Sequence, residues 1–324
     1  MLPTCFLTGA SGFVGRHLVP MLAQEYSLRV LVRPEQVVPH LATVAHERIE
    51  GRLADAAAIA RGVAGADTIV HLAALVSFRR EDREAMFAAN ATATGALAAA
   101  ARAAGVRRFL HVSTISAVAF RDRPEAVDET TPFNFGPLHI GYCDSKFEAE
   151  RHVLAECRRG LDVVIVNPAS MYGVGDRRKG DGSLLGAVFA GQVKLAPPGG
   201  LNVANVVDIC GGLMAALKKG RRGERYILGG ENLTGAELLQ RIARIIGGRA
   251  PRKVAPRRLV AAAARALRWK ERLLGSKSPV TSEILLLAGR FLWFSSAKAE
   301  RELGWRAASV DVGIEAAWRE LQNG

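Results

Sequence analysis

Tyr142 and Lys146 are the side chains of this sequence best suited to chemistry, because they stand in the spacing Tyr-x-x-x-Lys. On a helix this spacing is about one turn, so the phenol and the ammonium group lie on the same face. A free phenol, with a pKa of about 10, exchanges protons poorly at neutral pH, and a neighbouring cation favours the phenolate. Tyr142 could therefore exchange a proton with a substrate hydroxyl or carbonyl. The same spacing also occurs by chance on surface helices, so other motifs must support this interpretation.

A glycine-rich loop near the N-terminus is the second motif. Gly9, Gly12 and Gly15 follow an apolar run and open directly into the amphipathic stretch 13–23. A strand that turns on glycines into a helix directs backbone N–H groups and the positive end of the helix dipole at one point, where a phosphate binds. The glycines would permit the tight turn, the approach of a pyrophosphate and close packing of the helix on the sheet. The cofactor contacts predicted in this loop are Thr8, Gly9, Ser11, Gly12, Phe13, Val14 and Gly15.

A hydroxyl group is expected at the end of the strand that precedes the Tyr142 helix. The sequence places Ser113 and Thr114 directly after the apolar run 109–112. A hydroxyl there can hydrogen-bond a substrate oxygen and stabilise the charge that develops on it. Thr114 is the candidate, with Ser113 as a possible substitute. The alternative is that these residues only cap the next turn.

Strand-like and helical segments alternate through the first half of the chain. The strand-like runs are short, rich in β-branched residues and apolar on both faces, which is typical of a parallel sheet covered by helices. They are 28–32, 68–72, 109–112 and 163–166, and helical stretches occupy 84–104 and 140–159. This alternation predicts an α/β fold, a doubly wound parallel sheet of the Rossmann type with right-handed crossovers.

The alternation ends after Pro168. Residues 173–200 are rich in glycine, proline and charge and predict a loop, whereas 226–228 is strand-like and should return to the main sheet. From Thr234 onward the sequence is mostly helical. We therefore predict a dinucleotide-binding domain of residues 1–168 with 206–229, followed by a smaller, mostly helical substrate lobe of residues 169–324.

Composition argues against several classes of protein. The net charge is +13, but the arginines are spread along the chain without blocks or interleaved aromatic residues, so no nucleic-acid partner is predicted. The four scattered cysteines show neither CxxC spacing nor a disulfide framework, and no metal is predicted. Neither an export signal nor a stretch long enough to span a membrane is visible, so a cytoplasmic protein is expected.

The segment 252–277 is locally basic and amphipathic, with Arg257 and Arg258 near its start and Arg268-Trp269-Lys270 in its second half. The favoured interpretation is a solvated helix of the second lobe. Contact with a membrane surface, close to an apolar substrate, is the alternative interpretation.

Together these motifs resemble the extended short-chain dehydrogenases/reductases, in the branch of nucleotide-sugar epimerases, dihydroflavonol reductases and 3β-hydroxysteroid dehydrogenases. Thr8–Gly15 matches the TGxxGxxG loop of that family, and Tyr142 and Lys146 match its catalytic pair. Further similarities lie at His71–Ala74, at Asn90, at Pro168–Gly173 and, toward the hopanoid-associated sugar epimerase group, at 205–208, 226–230 and 294–299.

The resemblance implies roles for individual residues. Thr114, Tyr142 and Lys146 would be catalytic, although the family usually has serine at the position of Thr114. Arg52 stands where the family has an aspartate that faces the adenine, and an arginine cannot accept a hydrogen bond from the adenine amino group. Further cofactor contacts are implied at Leu53, His71, Ala73, Ala74, Asn90, Tyr142, Lys146, Pro168 and Ser170. The resemblance also implies a possible homodimer through the helices at 84–104 and 140–159.

The end of the second strand predicts the nicotinamide cofactor. An acidic residue there would bind the ribose 2′-hydroxyl of NAD, whereas an arginine suits a 2′-phosphate. The strand ends at Arg33, and the first acidic residue is Glu35. Because Arg33 could form a charge-assisted pair with a phosphate, we predict NADP(H), with NAD(H) as the alternative. The alternative holds if Arg33 is merely solvated.

Three functions are compatible with these residues. The first is an NADP(H)-dependent oxidoreductase that interconverts a ketone and a secondary alcohol, with Tyr142 as acid and base. The second is a nucleotide-sugar epimerase or dehydratase that retains its cofactor. Arg33 counts against this second function, and a possible diphosphate site at Arg177, Arg178, Arg221 and Arg222 counts for it. The third is a redox sensor or scaffold without turnover, against which the Tyr142–Lys146 pair argues.

The substrate is expected to be a small molecule held between the cofactor segment and the Tyr142 helix. The apolar residues of the loop 133–138 suit a hydrophobic, ring-containing ligand, although such loops vary freely between enzymes of one fold. Substrate contacts are predicted at Ser77, Phe78, Phe133, Phe135 and Tyr172.

Overall fold

The computed structural model describes residues 1–175, 184–275, 278 and 280–323. Within them, runs such as 28–32 and 163–166 form buried strands, as their apolar, β-branched sequences predict. In chain order the strands are β1 (Thr4–Thr8), β2 (Ser27–Val32), β3 (His46–Glu50), β4 (Thr68–His71), β5 (Arg108–Val112), β6 (Val163–Pro168), β7 (Ser170–Tyr172), β8 (Gly200–Asn205), β9 (Arg225–Leu228), β10 (Glu231–Thr234) and β11 (Phe291–Leu292).

Several helices begin at a residue that caps them. Asp55 accepts hydrogen bonds from Ala57 N and Ala58 N, and Thr234 and Glu237 form a capping box. The helices are α1 (Phe13–Ala23), α2 (Ala56–Val63), α3 (Arg83–Met86), α4 (Ala93–Ala103), α5 (Gly141–Arg158), α6 (Leu184–Phe189), α7 (Val206–Lys219), α8 (Gly235–Ile246), α9 (Arg257–Leu274), α10 (Ser282–Ala288), α11 (Ala297–Leu303) and α12 (Asp311–Asn323). A π-helical segment, Phe87–Thr92, joins α3 to α4.

The main sheet has seven strands in the order β3-β2-β1-β4-β5-β6-β9. All of its pairings are parallel, and the winding reverses beside β1, which pairs with β2 on one side and β4 on the other. β9 joins the sheet beside β6, as the strand-like pattern at 226–228 predicts. The fold is therefore the doubly wound Rossmann type, in which ligands bind beyond the carboxyl ends of the strands near the reversal.

Helices cover both faces of this sheet. On one face α1 and α7 pack into a core that includes Leu18 and Leu213, and on the other α2, α4 and α5 bury Ile59, Leu97 and Val153. Because both faces are covered, the central strands are apolar on both sides, which is the pattern that the sequence shows.

A second, smaller sheet lies in the C-terminal part of the chain and was not predicted. β8 is its centre: β10 pairs with it antiparallel, and β7 and β11 pair with it parallel. β7 has three residues and β11 has two, so neither is long enough to show an alternating pattern. Helices α6, α8 and α12 pack against β8 through a core that includes Leu185, Leu239 and Ile314.

None of the helices in the described part of the chain combines the length and the apolar character needed to cross a bilayer.

Candidate active site

A cavity of about 1040 Å³ opens at the carboxyl ends of β1, β4, β5 and β6. It brings together the glycine loop, the end of β5 and the start of α5, three segments that are far apart in sequence. Of the predicted residues, Gly9, Ser11, Gly12, Phe13, Val14, Gly15, Ala74, Phe78, Thr114, Tyr142, Lys146, Pro168 and Ser170 line it.

Two glycines of the loop lie too close to the neighbouring backbone for any larger residue to replace them. Gly9 has a φ of +78°, and a Cβ placed on it would lie 2.5 Å from the nitrogen of Ala73. A Cβ on Gly15 would lie 2.2 Å from the carbonyl oxygen of Ala10. The first glycine therefore permits the turn and the contact with the chain after β4, and the third lets α1 begin against the loop.

The start of α1 is open toward the cavity. Gly12 is its N-cap and supplies no side chain to the first turn, and Phe13, Val14 and Gly15 line the cavity. The first N–H groups of a helix have no partner inside the helix, and their partial positive charge suits an anion. His40 fixes this arrangement from outside, because its Nε2 donates to the carbonyl oxygen of Ala10 over 2.8 Å. The loop thus fits the pyrophosphate of a dinucleotide.

Lys146 is buried beneath the cavity one helical turn beyond Tyr142. Its side chain is 2% exposed, and its Nζ donates to the carbonyl oxygen of Val112 over 3.0 Å. Burial lowers the pKa of Lys146 to about 8, and the carboxylate of Glu150 opposes this shift. The ring of Tyr142 stands edge-on to Phe78, with 5.6 Å between the ring centroids. The phenol, the ammonium group and an apolar wall therefore meet in one place.

Thr114 lies at the end of β5 and faces the same cavity. Its hydroxyl oxygen accepts a hydrogen bond from Ser116 N at 3.2 Å, so the capping interaction considered above is also present. Its carbonyl oxygen accepts from Asn167 Nδ2 at 2.8 Å. Ser113, the possible substitute, also lines the cavity; it is largely buried, and its hydroxyl lowers the pKa of Glu150.

A buried polar network under the site was missed by the sequence reasoning. Glu150 is 1% exposed, one turn beyond Lys146, and accepts a hydrogen bond from Asn167 Nδ2 at 2.7 Å. Arg225 of β9 donates to the same carboxylate. Burial raises the pKa of Glu150, and the Arg225 guanidinium opposes the shift. Through Asn167 the network also holds the backbone at Thr114, so it joins two of the predicted catalytic residues.

Asn90 joins the chain after β4 to the catalytic helix. Its Oδ1 accepts from Leu75 N at 2.7 Å, and its Nδ2 donates to Leu75 O at 2.9 Å and to Ser145 Oγ at 3.0 Å. It stands in the π-helical segment, a distortion that is frequent at functional sites. Asn90 does not line the cavity itself, and in this position it orients the segments that do.

His71 and Thr8 lie below the glycine loop. Thr8 Oγ1 and Thr94 Oγ1 hydrogen-bond the two ring nitrogens of His71 at 2.6 and 2.8 Å. Burial lowers the pKa of His71 to about 3, with a further contribution from Lys146. Both Thr8 and His71 are fully buried, so they support the loop from beneath, and neither lines the cavity.

The far end of the cavity is lined by Gln36, Val37, Val38, Pro39 and His40, which the sequence reasoning did not select. Arg33 lies just outside it, with its Nε donating to Gln36 Oε1 at 3.2 Å. Glu35 stands between two guanidinium groups, 2.9 Å from Arg52 and 4.0 Å from Arg33. Leu53 packs on the core beside α2 and does not line the cavity.

Most of the residues that were predicted to contact the substrate do not line the cavity. Phe78 lines the cavity, but Ser77 Oγ donates to Asp82 Oδ2, and Tyr172 packs in the core beside β8. Phe133 stacks on Phe147 with 4.1 Å between centroids, and Phe135 is fully buried, because the aromatic residues of 133–138 pack on one another. Apolar residues that do line the cavity, and were not predicted to, are Val76, Ile115, Met171 and Leu292.

The proposed diphosphate arginines are not assembled at the cavity. Arg221 pairs with Glu302 at 2.9 Å, and Arg222 donates to the carbonyl oxygen of Cys157 at 2.7 Å. Arg177 and Arg178 lie outside the described residues. Arg16, which was not predicted, does line the cavity and pairs with Glu320 at 3.2 Å. Among the described residues no cluster of three or more His, Cys, Asp or Glu side chains could hold a metal ion.

Two curated proteins are similar to this chain over most of its length. Sterol demethylase protein B of Methylococcus capsulatus is 36% identical over 262 residues, which is 79% of each chain. A 4-hydroxy-2-methyl-3-oxo-4-farnesyl-3,4-dihydroquinoline-1-oxide ketoreductase of Stigmatella aurantiaca is 31% identical and covers 93% of this chain and 91% of its own.

Among solved structures, the dTDP-glucose 4,6-dehydratase of Streptomyces venezuelae, with NAD and TYD bound, has a TM-score of 0.76. It is 25% identical, and the match covers 99% of this chain and 97% of that one. The model of the NAD dependent epimerase/dehydratase family matches residues 5–229. The chain is therefore an oxidoreductase of the extended short-chain dehydrogenase/reductase type, and it belongs to the NAD dependent epimerase/dehydratase family.

Proposed function

We propose that the protein is an NADP(H)-dependent reductase that interconverts a ketone and a secondary alcohol on a small, hydrophobic substrate. The observation that carries this proposal is the position of Lys146, which is buried, anchored to Val112 and one turn from Tyr142 in a cavity with an open glycine loop. A cation held there favours proton exchange by the neighbouring phenol.

Three residues of the chain would have separate roles in the reduction of a ketone. The bound nicotinamide would supply the hydride to the carbonyl carbon. Tyr142 gives a proton to the carbonyl oxygen as negative charge develops on it, and Thr114 holds that oxygen with its hydroxyl. Lys146 stabilises the phenolate that forms when Tyr142 has given up its proton. Oxidation of the alcohol is the reverse, with Tyr142 as the base.

The preference for the phosphorylated cofactor is supported by charge at the end of β2. Arg33 and Arg52 both reach Glu35, so two cations surround one carboxylate just outside the cavity. A 2′-phosphate could take the place of that carboxylate and pair with a guanidinium group. NAD(H) is the alternative, since Glu35 could itself accept from ribose hydroxyls.

A hydrophobic substrate is supported by the apolar part of the cavity wall. Phe78, Ile115, Met171 and Leu292 line the cavity, and the ring of Phe78 contacts that of Tyr142. Leu292 comes from β11, so the proposed substrate lobe of residues 169–324 contributes to the wall. The ketoreductase of Stigmatella aurantiaca is a relative that is named for a ring-containing substrate with a farnesyl chain.

A nucleotide-sugar epimerase or dehydratase is the second candidate. It is supported by the likeness to the dTDP-glucose 4,6-dehydratase, which was solved with NAD, and by Arg16, a cation in the cavity wall. The same three residues would then take a proton from one sugar hydroxyl and later return it, while a cofactor that stays bound would supply the acceptor and donor of the hydride.

The test is to follow NADPH and NADH oxidation by the purified protein with a panel of apolar ketones and nucleotide sugars. Stoichiometric NADPH consumption with a ketone, lost in Tyr142→Phe, supports the reductase. Protein purified with bound NAD that converts a nucleotide sugar without net cofactor consumption contradicts it and supports the epimerase. Cofactor binding without turnover in either class contradicts both and leaves the sensor.

A further inference from the structure

Helix α9 leaves most of its surface exposed. Of its 18 residues only Ala264 and Glu271 are buried. Glu271 accepts a hydrogen bond from Ser282 N of α10 at 2.8 Å, and Arg268 donates to the carbonyl oxygen of Leu138 over 2.7 Å. The helix is therefore held along one side, and its opposite side faces solvent.

The exposed side carries an apolar stripe, which we name the outer face. It consists of Leu259, Ala262, Ala266, Trp269 and Leu273, which fall within an arc of about 80° on a helix with 3.6 residues per turn. Leu259 is 57% exposed, Trp269 is 68% exposed and Leu273 is 64% exposed. Single exposed apolar residues are common, but a contiguous stripe indicates a surface that binds something apolar.

The charged residues of α9 that border the outer face are all positive. Arg258, Arg265 and Arg272 follow one edge of the stripe, and Lys270 lies on the other, all of them exposed. Glu271 is the one acidic residue in the helix, and it is turned inward to Ser282. A second copy of this chain would bring these cations against one another, so self-association through the outer face is disfavoured. The charge instead complements an anionic surface.

The inner side of α9 contacts segments that bound the active site. The Arg257 guanidinium lies 5.2 Å from the ring centroid of Phe291, and the next residue, Leu292, lines the cavity. Arg268 holds Leu138, which precedes Tyr142 by four residues. The outer face thus lies on the substrate side of the protein.

We propose that the outer face of α9 docks the protein on the surface of a bilayer that contains anionic phospholipid. An amphipathic helix with Trp and Leu on one face and Lys and Arg beside them lies in the plane of the headgroups with its apolar face buried. The docking itself does not depend on the reaction. Its further consequence, that an apolar ketone reaches the cavity from the bilayer, rests on the proposed function.

The first measurement is co-sedimentation of the full-length protein with vesicles, without cofactor or substrate. We expect sedimentation with phosphatidylcholine vesicles that contain phosphatidylglycerol, and much less with phosphatidylcholine alone. Trp269→Ala with Leu273→Ala should lower the partition coefficient by at least about tenfold, because two large apolar side chains no longer enter the bilayer. Arg258, Arg265 and Arg272, changed together to Gln, should lower it for anionic vesicles.

Matched controls separate the outer face from general surface properties. Val207→Ala with Val312→Ala removes exposed apolar side chains elsewhere, and Arg123, Arg306 and Arg319 changed to Gln remove the same number of exposed cations. Both control variants should sediment as the wild type does. Equal loss in the charge control, or no sedimentation of the wild type with either vesicle, overturns the proposal.

The second measurement locates Trp269 in the bilayer. Lipids with brominated acyl chains quench a tryptophan that enters the hydrocarbon region. We expect quenching in the wild type and its loss in Trp269→Phe, which keeps an apolar ring and should still sediment. Quenching that persists in Trp269→Phe overturns the proposal. A wild type that is dimeric in solution and monomeric in the Trp269→Ala, Leu273→Ala variant also overturns it, because the outer face would then be a protein interface.

Discussion

The ammonium group of Lys146 is hydrogen-bonded to the carbonyl oxygen of Val112, over 3.0 Å, and has almost no contact with solvent. The bond ties the catalytic helix to the end of β5, the strand that leads into Thr114. It therefore fixes the distance between α5, which carries the proposed acid Tyr142, and the end of β5, which carries the hydroxyl of Thr114. The same burial holds the pKa of Lys146 at about 8, close to the pH at which enzymes work.

Activity should therefore fall on the alkaline side. Lys146 is charged below about pH 8 and loses its charge above it, so the phenolate is no longer stabilised. We expect kcat/KM for NADPH to fall about tenfold per pH unit above this value, since it reports groups of the free enzyme. Lys146→Arg keeps a cation and should remove this alkaline limb, at a lower plateau. An unchanged alkaline limb in Lys146→Arg contradicts the assignment.

Tyr142→Phe should abolish the proton exchange and leave the glycine loop intact. We expect kcat to fall by a factor of about 10² to 10⁴, the usual contribution of a positioned acid. The dissociation constant of NADPH, followed by its fluorescence, should change only a few-fold. Tyr26→Phe is the matched control, because Tyr26 does not line the cavity and its loss of a hydroxyl should leave kcat unchanged. Activity retained in Tyr142→Phe would remove this residue from its proposed role.

Glu150→Gln should act through Lys146. The carboxylate raises the pKa of Lys146, so its removal should move the alkaline limb of the pH profile to lower pH. It also leaves Arg225 without its buried partner, which is expected to cost about 3–5 kcal/mol of stability.

Glu156→Gln is the matched control for this stability effect. Glu156 is a buried carboxylate on the same helix, paired with Arg102 and Arg159. Its substitution should lower the melting temperature without moving the alkaline limb. If both variants shift the pH profile equally, Glu150 has no specific influence on Lys146.

Arg33→Glu should change the preference between the two nicotinamide cofactors. A carboxylate repels a 2′-phosphate, so we expect the dissociation constant of NADPH to rise by about tenfold or more and that of NADH to stay the same or fall. Isothermal titration calorimetry with both cofactors gives the ratio. Arg123→Glu makes the same charge change at an exposed residue that does not line the cavity and should leave the ratio unchanged. A wild type that binds both cofactors equally, with the same ratio in Arg33→Glu, would refute the NADP(H) proposal.

Acid should destabilise the fold through its buried histidines. Burial lowers the pKa of His71 to about 3 and also lowers the pKa of His111, whereas an unfolded histidine titrates near 6.5. Below pH 6.5 the unfolded chain binds protons that the folded chain excludes, so the free energy of unfolding falls as the pH falls. Each histidine should contribute about 1.4 kcal/mol per pH unit.

Urea unfolding between pH 7 and pH 5 tests this prediction. In His71→Asn the free energy of unfolding should depend less steeply on pH, by the contribution of one histidine. The substitution should also lower stability at pH 7. Equal slopes in the wild type and in His71→Asn would show that His71 does not bind a proton on unfolding.

Local sequence patterns predicted most strands of the main sheet and the turn of the glycine loop into α1. The boundaries of α1 follow from its amphipathic period, and the buried strands such as β6 are apolar on both faces. These features depend on neighbours along the chain. β3 was missed because its sequence, His46-Glu47-Arg48-Ile49-Glu50, is polar and it lies at the edge of the sheet.

Long-range contacts could not be predicted in the same way. Glu150 and Arg225 meet across 75 positions, and nothing in either local sequence indicates the partner. Phe135 is apolar and lies in a loop, so it was predicted to line the pocket, yet the rings of Phe120 and Phe133 pack against it and it is buried. Leu292 reaches the cavity only because a two-residue strand brings it there.

The two-residue strand β11 also limits where the chain can be divided into separate units. Phe291 donates to and accepts from the backbone of Arg121, and Val127 N donates to the carbonyl oxygen of Trp293, so the last third of the chain is bonded to the loop that follows β5. Cutting after Pro168 would strip β9 from the sheet and leave this loop without its backbone partners. Residues 1–168 and 169–324 therefore share backbone hydrogen bonds, and we expect that exchanging either segment between relatives would disturb the loop after β5.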